Sequence, residues 1–373
     1  MIFRRQSMPS VTMDRPIIYK NLQKVSESAE VLILDAYGVF YDSKGLYENS
    51  GELMRDMKSD GKLVYVLSNN IQLSEDAVAN YEKKGLRKGE HYDEFFTSGS
   101  FTSGILKKSQ LVFKKISNPK NVYIFGNPNR KIFEGTRYIV VDKIEDAHFV
   151  YISVPQLTEE QYKNYPHKEH LKESKSNFFG TGGRRWDSIT VDPFMLQLEN
   201  FKKRNLPILV ANPDLVSEEF EKGSDESNFV IRQGSIAEAY RKIGGEVVEF
   251  GKPHREIYDL VFKDIEKRGR AVKKNKIFMV GDTIRTDIKG AKNAGIMSVL
   301  CTETGVTANE VKKRITNLQK NKDKLAVQAM KMEEIKKVIL MDLQNENDCV
   351  ADYLIEGISR DYTAKTTSSK NMK

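Results

Sequence analysis

The residues of this chain that can do chemistry fall where short apolar runs end. Val31-Leu-Ile-Leu34 leads directly into Asp35-Ala36-Tyr37-Gly38, and Leu63-Val-Tyr-Val-Leu67 leads into Ser68-Asn69-Asn70. Lys276-Ile-Phe-Met-Val280 leads into Gly281-Asp282-Thr283-Ile284-Arg285-Thr286-Asp287, and Lys252 sits on the Gly251-Lys252-Pro253-His254 turn. Taken alone, a carboxylate that ends a strand is an ordinary terminator. Together, two or three carboxylates and one lysine suit a hard divalent cation beside a phosphoryl group. Asp35 can then attack phosphorus as a nucleophile, giving an aspartyl-phosphate.

Elements must bring these segments to one place. Short apolar runs bounded by polar turns read as strands buried on both faces, as in a parallel sheet covered by helices. Amphipathic stretches lie between them at Ser50 to Ser59, Ser74 to Lys84 and Arg255 to Lys267. Strand and helix in alternation predict an α/β, doubly wound parallel sheet, which places its ligands at the carboxyl ends of the strands. Asn121 to Phe125, His148 to Ile152 and Leu206 to Val210 read as strands of a separate inserted lobe.

The motifs, in this order, resemble the haloacid dehalogenase (HAD) superfamily of aspartate-nucleophile hydrolases. The fourth motif and Ala211-Asn-Pro-Asp-Leu215 are similar to the NagD-like subgroup, class IIA, and the resemblance runs from about Val31 to Thr304. It implies a Rossmann-like core over residues 31–104 and 244–357, with an α/β cap at 105–243 inserted between its halves. Residues 1–30 are then an N-terminal arm and 358–373 a C-terminal tail, with a Lys-rich helical segment at 311–337. The resemblance further makes Asp35 the nucleophile and a Mg2+ ligand, with the Tyr37 backbone carbonyl, Asp282 and Asp287 completing the metal site. Ser68 and Asn69 would bind phosphoryl oxygens, Lys252 would neutralise the nucleophile and the developing charge, and Asn212 and Asp214 of the cap would read the leaving group.

Tyr37 departs from the pattern. Phosphatases of the superfamily carry a general acid–base Asp two residues after the nucleophile. A tyrosine hydroxyl, with an unperturbed pKa of about 10, does not readily deprotonate water at neutral pH. Asp-Ala-Tyr-Gly is similar to the first motif of haloacid dehalogenases, but the 33 positions from Asp35 to Ser68 leave no room for their cap, and Gly281-Asp282 is retained. The expected activity is a magnesium-dependent phosphatase of small phosphate monoesters, slowed by Tyr37. A non-catalytic, phosphometabolite- or partner-binding protein and a dehalogenase-type hydrolase stay open as alternatives.

Composition bounds the rest. Sixty Lys+Arg against 52 Asp+Glu give a formal charge of +8 over 373 residues, too mild a balance to argue for nucleic acid. Two cysteines suit a reducing, cytoplasmic compartment, and no apolar run approaches the ~20 residues of a membrane span. The expected partner is therefore a small phosphorylated metabolite, with a homodimer compatible with the chain. Phe179-Gly-Thr-Gly-Gly-Arg-Arg-Trp186 lacks the strand-then-helix context of a phosphate loop and reads as a cap loop.

Overall fold

The computed structural model describes residues 16–42, 44–127, 130–174, 183–220, 227–320 and 331–359. Its larger sheet has seven strands, all parallel, in the spatial order Ile17–Asn21, Tyr353–Gly357, Met297–Cys301, Ile277–Gly281, Val31–Leu34, Leu63–Ser68, Glu94–Thr97. The apolar runs occupy its centre because both of their faces are covered. Leu32, Leu34, Val64 and Val66 pack on one side with Leu53 and Met54 of the helix Ser50–Ser59. Val31, Ile33, Tyr65 and Leu67 face the other side, against Ile257 and Val261 of the helix Arg255–Lys267. Alternate residues of a strand point to opposite faces, so continuous apolar runs are what a two-sided core requires.

A second sheet holds Val247–Glu249, Ile208–Val210, Phe149–Ile152, Asn121–Phe125 and Ile139–Val141, again all parallel. Beside it lie a three-stranded antiparallel sheet, Gln156–Thr158, Arg185–Ser188 and Leu171–Glu173, and a hairpin of Val216–Phe220 with Ser227–Ile231. This α/β architecture is the expected fold class.

Two segments sit elsewhere than the sequence boundaries put them. Ile17–Asn21, assigned to the arm, is an edge strand on Tyr353–Gly357, with Ile17 and Ile18 half exposed. An edge strand buries too little of itself to show an apolar period. Val247–Glu249, assigned to the core, pairs with Ile208–Val210 in the second sheet, so the chain leaves that sheet only just before Lys252. Among the described residues no helix is long and apolar enough to cross a membrane. Residues 179–182 of the glycine-rich segment, 321–330 of the Lys-rich segment and 360–373 of the tail lie outside the described residues. Of the described remainder, Arg184 pairs with Glu173, and Trp186 stacks on Tyr162 at 4.3 Å between ring centroids.

Candidate active site

Adjacent central strands deliver the carboxylates. Val31–Leu34 pairs with Ile277–Gly281, and the Asp35 amide donates to the Val280 carbonyl at 2.8 Å. Asp35 and Asp282 therefore leave neighbouring strands at the same edge. Asp287 returns to it from a single widened helical turn, Ile284–Ile288, where its Oδ2 accepts the Thr283 amide at 3.0 Å. One oxygen each of Asp35, Asp282 and Asp287 lies within 4.8 Å of the others.

Lys252, on the turn that follows Val247–Glu249, joins this cluster. Its Nζ lies 2.6 Å from Asp35 Oδ1 and 2.7 Å from Asp287 Oδ1, and its side chain is almost wholly buried. Burial opposes the ammonium, but the charges of Asp287 and Asp35 outweigh it and hold its pKa above the ordinary lysine range. The carboxylates bear the opposite strain. Asp282 is held well above the usual carboxylate range by burial first, then by the charges of Asp287 and Asp35. Asp287 is pushed up to about 7 by burial, with Lys252 pulling it down and Asp35 adding to the rise.

These features fit a divalent cation. The donor set is all oxygen, as hard cations prefer. Asp287 Oδ1 is buried with no donor in hydrogen-bond geometry, although the Lys252 ammonium stands close to it. Asp282 is cradled by two glycines, Gly38 with φ +83° and Gly305 with φ +68°. A Cβ at Gly305 would fall 1.9 Å from Asp282 Oδ2, which accepts the Val306 amide at 2.6 Å.

Ser68 ends its strand beside this cluster, its Oγ accepting the Asn70 amide at 3.3 Å. Asn69 is differently engaged from the phosphoryl contact expected of it. Its Oδ1 accepts the Lys252 amide at 2.8 Å, and its Nδ2 donates to the Lys252 carbonyl at 3.0 Å and to Asp214 Oδ1 at 2.9 Å. The Asn69 side chain thus braces the lysine turn and joins it to the cap. Asn212 accepts the Asp214 amide at 2.9 Å, which curls the Asn212-Pro213-Asp214 turn against the core. Burial raises the Asp214 carboxyl, with Lys252 opposing. A cavity of about 330 Å3 opens between Asp214 to Val216 and Thr283 to Thr286.

The hairpin was not legible in the sequence, and it reaches the site. Tyr37 donates its hydroxyl to the Glu218 carbonyl at 2.5 Å, and its ring meets Tyr41 edge-on at 5.3 Å. The segment Val216-Ser-Glu-Glu-Phe220 lacks the strict alternation that marks a strand, so no local signal foretold it.

Comparison with known proteins adds to this geometry. A haloacid dehalogenase-like hydrolase family model matches residues 32–133, and a HAD-hydrolase-like model matches residues 249–326. Over these two stretches the chain is similar to haloacid dehalogenase-like hydrolases. The two matched stretches hold Asp35, Ser68 and Asn69 in one and Lys252, Asp282 and Asp287 in the other. No curated protein matched the chain. Among solved structures, a haloacid dehalogenase-like hydrolase from Brucella suis superposes with a TM-score of 0.60 at 22% identity, covering 78% of this chain and 91% of that one. A possible sugar phosphatase from Cytophaga hutchinsonii gives 0.59 at 16% identity, covering 92% and 98%. A p-nitrophenyl phosphatase from Archaeoglobus fulgidus gives 0.50 at 19%, covering 88% and 96%. At these identities the likeness is one of fold.

Proposed function

We propose that this HAD-like hydrolase is a phosphatase of small phosphate monoesters, dependent on Mg2+ and acting through an aspartyl-phosphate on Asp35. One observation carries the reading: a buried lysine held between Asp35 and Asp287, with Asp282 close enough for the three carboxylates to share one cation. Two of the structural neighbours are named as phosphatases, which accords with it. Asp35, Asp282, Asp287 and the Tyr37 backbone carbonyl would hold Mg2+, which when bound supplies positive charge beside the phosphoryl oxygens. The motif order, with the cap inserted after Ser68 and before Lys252, agrees with class IIA.

Asp35 attacks phosphorus, and the bond to the leaving oxygen breaks as the carboxylate bond forms. Charge then gathers on the phosphoryl oxygens, where the Lys252 ammonium and the Ser68 hydroxyl would stabilise it. Asn69 keeps Lys252 in position, and Asn212 and Asp214 contact the leaving group from the cap. Water afterwards hydrolyses the acyl-phosphate and regenerates Asp35. The Tyr37 hydroxyl already donates to the Glu218 carbonyl and is a poor base toward water, so this last step is the slow one.

Hydrolysis of nitrophenyl phosphate with and without Mg2+, by wild type and Asp35→Asn, tests the reading. Magnesium-dependent turnover lost in the variant supports it. A binding-only role is the second reading, favoured by the engagement of the Tyr37 hydroxyl with Glu218. Absence of turnover, with saturable binding of inorganic phosphate, would establish that role instead.

A further inference from the structure

The second, five-stranded parallel sheet has a ligand position of its own. The chain enters it at Asn121–Phe125, lays Ile139–Val141 on one side of that strand, then crosses to lay Phe149–Ile152 on the other. Open parallel sheets bind ligands outside the carboxyl ends of their strands, where the strand order reverses in this way. A cavity of about 610 Å3 lies there, between Phe125 and Gly126 at the end of the first strand and Gln156 and Leu157 shortly after the third. That volume is within the ~300–1,000 Å3 usual for small-molecule sites. None of Asp35, Ser68, Asn69, Asp214, Lys252, Asp282 and Asp287 lines it.

The lining is aromatic with two opposite charges. Tyr123, Phe125, Tyr165 and Phe194 contribute rings, and Leu196 leaves 71% of its surface exposed there. Among the described lining residues only Arg185 and Glu160 are charged, and neither is in an ion pair. Arg185 pairs in register with Thr158 across antiparallel strands, and Glu160 lies two residues beyond Thr158. The fold thus brings a guanidinium and a carboxylate to one end of the cavity without joining them. Charges around it are placed elsewhere: Glu159 pairs with Lys163, Arg184 pairs with Glu173, and Lys168 stands 4.2 Å over the Tyr162 ring. Asp192, just before the lining residue Pro193, is exposed and does not line the cavity. One acceptor is also unspent, because Gln197 Oε1 is buried with no hydrogen-bond partner.

We propose that this cavity is a binding site for a free aromatic α-amino acid. The planar guanidinium of Arg185 takes the carboxylate through two N–H groups. An ammonium carries three donors and no acceptor, which suits Glu160 and Gln197 Oε1. The ring of the ligand then packs among Tyr123, Phe125, Tyr165 and Phe194 and covers Leu196. A ligand that lacks either charge leaves one of these protein groups unmet on binding. The proposal stands apart from the phosphatase reading, since no group of that reaction takes part.

Titration calorimetry on the full chain tests it with L-phenylalanine and two analogues that each lack one charge. Phenylpropionate has no ammonium, and phenylalaninamide has no carboxylate. L-Phenylalanine should bind saturably, and each analogue should bind at least ~10-fold more weakly. Arg185→Gln should weaken phenylalanine by roughly tenfold or more and leave phenylalaninamide unchanged, while Glu160→Gln should weaken phenylalanine and leave phenylpropionate unchanged. Asp35→Asn should bind phenylalanine as wild type does. Absence of saturable binding up to about 10 mM overturns the proposal, as does an analogue that binds as tightly as phenylalanine. That comparison uses wild type alone, so it decides even where a variant fails to fold. Unchanged affinity in an Arg185→Gln protein with the wild-type melting temperature also overturns it, and loss of binding in Asp35→Asn would put the amino acid at the candidate active site instead.

Discussion

Tyr37 and Glu218 are joined across the cleft by a 2.5 Å bond from the phenol hydroxyl to a backbone carbonyl. The residue two places after Asp35 therefore ties the larger sheet's edge to the hairpin of Val216–Phe220 with Ser227–Ile231. In the expected phosphatase pattern this position handles protons; here its hydroxyl is spent on closure.

Tyr37→Phe separates ring from hydroxyl. One buried hydrogen bond is worth about 1 kcal/mol, so the variant should lose roughly fivefold in kcat/KM, expressed mainly in KM. Steady-state kinetics on nitrophenyl phosphate measures this. Tyr37→Asp should act differently, because general acid–base groups contribute ~10²–10⁴-fold where the leaving group needs a proton. Its rate on an alkyl phosphate should rise relative to nitrophenyl phosphate, whose leaving group departs unaided. A fall in that ratio, in a folded variant, would show that this site cannot use a carboxylate there.

Lys252→Met should destabilise the fold as well as stop turnover. It leaves Asp35 and Asp287 without their cation, and breaking a buried ion pair by removing one partner costs about 3–5 kcal/mol. Chemical denaturation gives the loss directly. Mg2+ should recover part of it, because a cation at the carboxylates replaces some of the missing positive charge. A variant as stable as wild type would mean that the cluster tolerates its own repulsion.

Magnesium should stabilise the protein more at pH 8 than at pH 5.5. Asp282 and Asp287 both have folded pKa values above those of the unfolded chain, so the metal-free folded state binds protons more tightly. That contribution to stability is fully present below the ordinary carboxylate range near ~4 and is lost as pH rises through about 7 for Asp287. Above that pH the carboxylates repel one another, and a divalent cation relieves the repulsion. Thermal unfolding with and without Mg2+ across this range shows whether the increment grows with pH. An increment independent of pH would argue against binding at these carboxylates.

Much of this site was readable because its residues belong to buried parallel strands. Asp35 and Asp282 each directly follow or end a continuous apolar run, and such runs pair at the centre of the sheet. Their adjacency follows from fold class alone. Lys252 was readable as a residue type on a turn, but its burial between Asp35 and Asp287 depends on the whole sheet closing. The hairpin was not readable. Its pairing of Val216 with Ile231 and its grip on Tyr37, 181 residues away in sequence, are tertiary contacts without a local pattern. Asn69 shows a third case: its type suits a phosphoryl oxygen as well as a backbone brace, and the bonds of its side chain to the Lys252 backbone form only once the turn closes against it.

Gly305→Ala probes the metal site without touching a carboxylate. The glycine has φ +68°, where a Cβ costs about 1–2 kcal/mol, and that Cβ would stand 1.9 Å from Asp282 Oδ2. Asp282 cannot retreat freely, because the same oxygen accepts the Val306 amide at 2.6 Å and Gly38 closes its other side. The carboxylate must rotate or the loop after Cys301 must shift, and either change moves one of three oxygens that have to converge. Groups that orient metal ligands typically matter by 10–100-fold in affinity or activity. Gly305→Ala should therefore raise the Mg2+ concentration for half-maximal activity by at least ~10-fold, with a smaller loss of turnover at saturating metal. Titration calorimetry with Mg2+ checks the same shift without substrate. A folded Gly305→Ala protein with unchanged magnesium affinity would place Asp282 outside the metal site, leaving Asp35 and Asp287 to hold the cation.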